Sequence, residues 1–221
     1  MPILDLNLGA GMTADNEQDA NALYQQACAF LSDLDTDWAL IIDRIGPCRL
    51  EPKLSEEPYE TLIRAIAHQQ LHGRAAEAIL KRFLALFPED QFPEPQQILS
   101  IENEVIRQCG FSMRKISTIK AIAEAYLNGL VPTFAKAKEL SNEDLISELT
   151  VLPGIGPWTV EMLLIFNLGR LDVLPIHDYG IREGYKRMKS LDKQPTPKEL
   201  AKLGASWSPY RSIASWYLWR V

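Results

Sequence analysis

Apolar residues recur every three or four positions through most of this chain, the period of amphipathic helices rather than of strands. In "NEQDANALYQQACAFLSDL", Asn16 to Leu34, the residues Leu23, Ala27, Phe30 and Leu34 fall on one stripe. "WALIIDRI" predicts a short second helix with Asp37 as its cap and Gly46-Pro47 as its stop. The Pro- and Glu-rich "LEPKLSEEP" reads as a boundary. Next, "YETLIRAIAHQQLHGRAAEAILKRFLALF" holds two amphipathic segments on either side of "QQLHG", where Gly73 suits a break or close packing. "PQQILSIENEVIRQCG" and "RKISTIKAIAEAYLNG" each predict one helix, stopped at Gly110 and Gly129. Ser141 precedes "NEDLISEL" with acids in the first turn, a good helix start. A further helix is expected over 157–168, and "RLDVLPIHDYGIREGYKRM" reads as a loop feeding another. "TPKELAKLG" and "SPYRSIASWYLWRV" predict two last helices, each with Ser or Thr before proline. No strand-hairpin signal stands out, and residues 1–15 look irregular. The expectation is an all-α fold of about ten helices.

The stretch "LPGIGPWTVEM", residues 152–162, interrupts this rhythm. Gly154 and Gly156 can take positive φ or let another molecule approach the backbone. Pro157 suits the first turn of a helix, where a missing N–H costs nothing. The pattern reads as a tight hairpin with outward N–H groups, able to bind an anion. These residues alone fit an ordinary helix–turn–helix connector equally well.

Composition narrows the class. The 221 residues allow one sizeable domain or two small ones. No apolar run approaches a membrane span, and "MPILDLNLGAGMTADNEQ" lacks the basic and apolar regions of a signal peptide. Cys28, Cys48 and Cys109 are widely spaced, so neither a disulfide framework nor a zinc site is expected, and a reducing compartment is the default. The net charge of −6 argues at first against a nucleic-acid partner. Its distribution changes the picture, because residues 1–60 carry 12 acidic and 3 basic side chains. Residues 182–221 carry Arg182, Lys186, Arg187, Lys189, Lys193, Lys198, Lys202, Arg211 and Arg220 against three acids. Such a face can bind phosphates, or can simply be solvated.

About twenty residues past the hairpin stands "DVLPIHDYGIR", with an aspartate opening the next helix. Taken with "AIAHQQLHGRAAEAI", "FSMRKISTIKAIAEAY", "PGIGPWTVEMLLIF" and "WSPYRSIASWYLW", in that order, it resembles the helix-hairpin-helix DNA glycosylase superfamily, in its DNA-3-methyladenine glycosylase II branch. The resemblance covers roughly residues 55–221. It implies two helical subdomains flanking a cleft that holds the active site. Residues 58–171 would form a helical barrel carrying the helix-hairpin-helix at 142–168. Residues 1–57 and 172–221 would form a discontinuous second subdomain. The chain ahead of Tyr59 is too short for the N-terminal β domain of larger members.

The resemblance also assigns roles. Alone, Asp178 reads as a helix N-cap. In the family pattern it is the catalytic aspartate beside C1′ of a flipped nucleotide, where a carboxylate stabilises oxocarbenium charge and can orient or deprotonate water. Trp158, Trp219, Met162 and Tyr179 are expected to line the base pocket, while Trp207, Tyr210, Trp216 and Tyr217 crowd the same segment, most of them as core, Trp216 and Trp207 in particular. Strand-nicking members carry a lysine where this chain has Trp158, so the resemblance implies a monofunctional enzyme. An aromatic face also suits a cationic base. His177 stands where many members have a second acid, and either tunes Asp178 or faces solvent. "QQLHG" lies where the family places its wedge, which assigns Gln70 as the inserted side chain with Leu71 and His72 beside it. Leu71 fits core equally, and Gln69 fits a structural role. Gly154, Ile155 and Gly156 would hold a phosphate through their N–H groups. The carbonyls of Thr150, Leu152 and Ile155 would hold a monovalent cation, sodium or potassium. No cysteine follows Cys109, which excludes the iron–sulfur cluster of other branches.

The expected activity is release of 3-methyladenine and 7-methylguanine from double-stranded DNA containing alkylated bases, by a monomer with no membrane association. A bacterial cytoplasm is the expected location, or a nucleus if the source is eukaryotic. The rivals are a glycosylase for ethenoadenine or a deaminated purine, a non-catalytic helix-hairpin-helix DNA-binding module, and a purely structural helical protein.

Overall fold

The computed structural model describes residues 14–69, 73–87 and 92–221, with side chains from Asn21 onward. Every regular element among them is helical. The chain divides into two compact units, one combining the N-terminal part up to Lys53 with Gly169–Val221, the other running Leu54–Leu168.

The first unit begins with α1 (Ala14–Ser32) and α2 (Thr36–Ile45) and resumes with α11 (Tyr179–Met188), α12 (Pro197–Leu203), a 3-10 turn (Gly204–Trp207) and α13 (Arg211–Leu218). The buried positions of α1 are Tyr24, Ala27 and Leu31. Of the expected stripe, Ala27 is buried while Leu23, Phe30 and Leu34 are half-buried, and Tyr24 and Leu31 are buried beside it where α1 packs on α2 and α13. Asp35, not Asp37, caps α2, accepting the N–H groups of Asp37 and Trp38 at 3.0 and 3.1 Å. Asp37 instead joins Asp35 around the Lys189 ammonium, at 2.8 and 2.6 Å. Trp38 stands edge-on to Trp207 with ring centroids 5.3 Å apart. The last helix starts at Arg211 rather than at Ser208-Pro209, because the Ser208 hydroxyl is committed to the Asp172 carboxylate. α11 packs directly on α13: a Cβ on Gly184 would lie 1.9 Å from the Leu218 carbonyl oxygen.

The second unit holds α3 (Pro58–His68), α4 (Gly73–Leu84), α5 (Pro95–Ser100), α6 (Asn103–Gln108), α7 (Met113–Leu127), α8 (Phe134–Glu139), α9 (Asn142–Leu149) and α10 (Pro157–Phe166). α7 is central, packed on α3 and α5, and α10 packs on α3. Ile63, Ile66, Ile116, Ile119 and Ile122 form the core between them. The single helix expected over "PQQILSIENEVIRQCG" is two, since Ile101 and Glu102 are extended and Lys120 takes the carbonyls of Leu99 and Ile101. α8 was not expected; Thr133 caps it through the Lys136 N–H. α10 is predominantly apolar, with Glu161 its one charged residue, and Thr159 through Ile165 are all buried. Such a helix belongs inside its unit rather than on the surface. It ends at Phe166, two residues earlier than expected, where Asn167 turns its amide to the Glu56 carbonyl at 2.9 Å.

Candidate functional site

Asp178 is the N-cap of α11 and a buried polar residue of its unit. The turn before it closes with its N–H on the Pro175 carbonyl at 3.0 Å. Its backbone is extended, φ −67 and ψ 125, so the side chain folds back over the start of α11. Oδ1 accepts the Ile181 N–H at 2.8 Å and the Trp219 indole N–H at 3.0 Å. Asp178 as a residue is 7% exposed, and its carboxyl sits at the positive end of the helix dipole. The cap and the candidate catalytic group are thus the same atoms. Beside it, His177 faces solvent and Tyr179 is 53% exposed.

The aromatic C-terminus sorts cleanly. Trp207, Tyr210, Trp216 and Tyr217 are buried. The Tyr217 hydroxyl donates to the Gly46 carbonyl at 2.9 Å, and Arg220 lies over the Trp216 ring at 3.8 Å. Trp219, half-buried at the end of α13, turns to Asp178. Gly180, which no sequence motif singled out, leaves the room for this. A Cβ there would stand 3.0 Å from Trp219 Cδ1 and 3.1 Å from Asp178 Oδ1. Its signal in the sequence was a poor helix former in a first helical turn, which asks for a close neighbour.

In the other unit, α9, the turn and α10 form the helix-hairpin-helix. Gly154 has φ 83, a region that favours glycine, and a Cβ there would lie 2.2 Å from Thr118 Oγ1. The Ile155 N–H bonds the Leu152 carbonyl at 3.1 Å, and the Ile155 side chain is buried. This corrects one expectation: the Ile155 N–H is spent inside the turn and is not available to a phosphate. The N–H groups of Gly154 and Gly156 have no acceptor among the described residues. The carbonyls of Thr150 and Ile155 accept no hydrogen bond among the described residues, and that of Leu152 accepts only the Ile155 N–H. Carbonyl oxygens with free lone pairs can accept further hydrogen bonds or meet a cation.

Trp158 is half-buried on the first turn of α10, with buried Met162 one turn on. Gln69 ends α3, and its amide donates to the Gly154 carbonyl at 3.2 Å and to Thr159 Oγ1 at 3.0 Å. Lys115 donates to the carbonyls of Ala67 and Gln69 at 3.0 and 2.8 Å, and burial pushes its pKa down. Neither Lys115 nor Thr118 was singled out from sequence. Gln70, Leu71 and His72 lie outside the described residues.

The basic C-terminal region is less open than its composition suggests. Lys186 and Arg187 pair with Glu183 at 3.7 and 3.3 Å, Lys189 with Asp35 and Asp37, and Arg211 with Asp172 at 2.6 Å. Lys193, Lys198 and Lys202 are exposed.

Residues 63–209 match the family described as HhH-GPD superfamily base excision DNA repair protein. DNA-3-methyladenine glycosylase 1 of Schizosaccharomyces pombe is 46% identical over 213 residues, 95% of this chain and 93% of that protein. A solved structure of 3-methyladenine DNA glycosylase from the same organism, in complex with abasic DNA, matches with a TM-score of 0.84 at 47% identity, over 88% of this chain and 95% of that one. The DNA-3-methyladenine glycosidase of Bacillus halodurans matches with a TM-score of 0.74 at 32% identity, over 88% of each chain. With two thirds of its length inside the family match and a near-full-length relative at this identity, the chain belongs to the HhH-GPD superfamily of base excision DNA repair proteins.

Proposed function

We propose that this chain is a monofunctional DNA glycosylase that hydrolyses the N-glycosidic bond of alkylated purines, chiefly 3-methyladenine and 7-methylguanine, and leaves an abasic site. The observation that carries the reading is the Asp178 carboxylate, anchored at the start of α11 by the Ile181 N–H and the Trp219 indole. The names of the relatives at 46% and 47% identity support the substrate class.

The C1′–N bond breaks with its electron pair leaving on the base. A purine methylated at N3 or N7 begins with a positive charge, so it departs neutral and needs no general acid. Positive charge builds on the sugar, and a carboxylate at Asp178 stabilises it. Water adds at C1′ and loses a proton, completing the hydrolysis. Aromatic faces at Trp158 and Trp219 suit a cationic base. Trp158 has no amine, so no Schiff base forms there and the strand is not nicked.

The hairpin's N–H groups at Gly154 and Gly156 support a phosphate contact without side chains in the way. The carbonyls of Thr150, Leu152 and Ile155 would hold a monovalent cation, which would add positive charge beside that phosphate. Among the described residues no helix is long and apolar enough to cross a membrane. The reading implies work where DNA is, in a bacterial cytoplasm or a nucleus.

The test is base release from methylated duplex DNA by wild type and Asp178→Asn, with strand breaks scored before and after alkali. Asparagine keeps the N-cap, so loss of activity reports chemistry rather than folding. Methylpurine release by wild type, only a slow residual release by Asp178→Asn, and breaks only after alkali are the expected result. Breaks without alkali would overturn the monofunctional reading, and tight binding without release would point to another lesion.

A further inference from the structure

We infer that Trp219 is a positioning residue whose indole N–H holds the Asp178 carboxylate in one orientation, with Gly180 and Gly184 as the residues that permit it. The inference rests on the reading of Asp178 given above and adds to the pocket role that resemblance assigned to Trp219.

At the N-cap, Asp178 Oδ1 accepts the Ile181 N–H. Its terminal torsion is broad, so each further donor narrows the range open to the carboxylate plane. The Trp219 N–H reaches the same Oδ1 from a different helix, 41 residues on, at 3.0 Å. Two donors arriving from two elements restrict the plane. The indole N–H is a donor only and does not titrate, so its partner on Asp178 must be an acceptor oxygen.

Two glycines set the distance. Gly180 and Gly184 are four residues apart and share one face of α11. At Gly184 the backbone of α13 comes so close that a Cβ would lie 1.9 Å from the Leu218 carbonyl oxygen. At Gly180 a Cβ would crowd both the indole and Oδ1, at 3.0 and 3.1 Å. One glycine seats the helices and the next keeps the space in which their side chains meet. A pocket aromatic whose only task was stacking would need neither.

Two measurements test this. The first is single-turnover release of methylpurine by wild type, Trp219→Phe, Asp178→Asn and the double variant. Phenylalanine keeps an aromatic face and removes the N–H. Trp219→Phe is expected to slow release about 10- to 100-fold, the range of a hydrogen bond to a charged group, with duplex affinity little changed. In the Asp178→Asn background the same change is expected to cost less than about threefold, because residues acting through one group are non-additive. Equal costs in both backgrounds would overturn the inference and leave Trp219 as a stacking residue. Gly180→Ala is expected to match Trp219→Phe, and wild-type rates from it would also overturn the inference.

The second measurement does not depend on activity. In nitrogen-15-labelled protein, the Trp219 indole N–H resonance, identified by its loss in Trp219→Phe, should move on Asp178→Asn more than the other indole resonances do. An unmoved resonance would overturn the inference. If wild type releases no methylpurine, the glycosylase reading fails, and this measurement alone decides the positioning.

Discussion

The Gln69 side-chain amide donates to the Gly154 carbonyl at 3.2 Å and to Thr159 Oγ1 at 3.0 Å, so the end of α3 is bonded to the hairpin and to the first turn of α10 at once. Lys115 closes the arrangement from below by holding the carbonyls of Ala67 and Gln69. Gln69→Ala removes both amide bonds and leaves the buried Thr159 hydroxyl without that partner. The expected loss is about 1–3 kcal/mol, read as a lower thermal midpoint, together with weaker binding to an abasic duplex by fluorescence anisotropy. Gln69→Glu, which sets an acceptor against the Gly154 carbonyl, should be worse than alanine in both assays.

Gly154 and Gly156 should separate in their behaviour. Gly154→Ala meets Thr118 Oγ1 at 2.2 Å and forces a side chain into positive φ, so it is expected to destabilise the fold by about 1–3 kcal/mol. Gly156 has φ −110, and a Cβ there would meet nothing within 4 Å. Gly156→Ala should therefore keep its thermal midpoint and, on the proposed phosphate contact, lose duplex affinity, because the methyl group would stand in the way of that contact. Chemical denaturation and anisotropy on the same two preparations check the pair.

Gly184 offers a purely structural comparison. Its Cβ would collide with backbone at Leu218, which cannot move aside as a flexible side chain can. Gly184→Ala is expected to cost about 2–4 kcal/mol, at the upper end of single substitutions, measured by urea unfolding. Should it unfold at the wild-type midpoint, the close seating of α11 on α13 would be wrong.

The Lys189 cluster predicts a pH dependence. Burial pushes the Asp35 carboxyl up, but the Lys189 ammonium and the N–H groups of Trp38 and Asp37 more than offset this and hold its pKa below the usual carboxylate range. Burial lowers Lys189, and its two aspartates more than reverse that, so its pKa is raised. A depressed carboxylate contributes stability above its unfolded pKa, near 4, that is lost as pH falls through the folded value. A raised lysine contributes stability below its unfolded pKa, near 10.4, that is lost as pH rises through the folded value. Lys189→Met should lower the thermal midpoint at neutral pH and shrink the gap to wild type at both extremes. A constant gap from pH 3 to pH 11 would refute the linkage.

The helical class, most helix positions, the hairpin and the aspartate that opens α11 were legible in the chain itself. Each rests on local rules: an apolar period of three to four residues, a capping side chain before a first turn, a glycine pair before a proline. Ser141 capping α9 and Thr196 capping α12 through a reciprocal bond with Glu199 follow directly from such rules. What the tertiary structure decided was which face and which partner. Whether α1 buries Leu23 or Tyr24 depends on where α2 and α13 stand, and both stripes have the helical period. The capping of α2 by Asp35 leaves Asp37 for Lys189, a residue more than 150 positions away. The split at Ile101 needs Lys120 to collect the carbonyls that a continuous helix would have kept. The spending of the Ile155 N–H inside the turn, the grip of Gln69 on Gly154 and the indole of Trp219 on Asp178 are long-range or geometric facts of the same kind. Periodicity records what a residue does within its own helix, whereas a hydrogen bond or a glycine-lined contact between helices depends on packing that no single segment encodes.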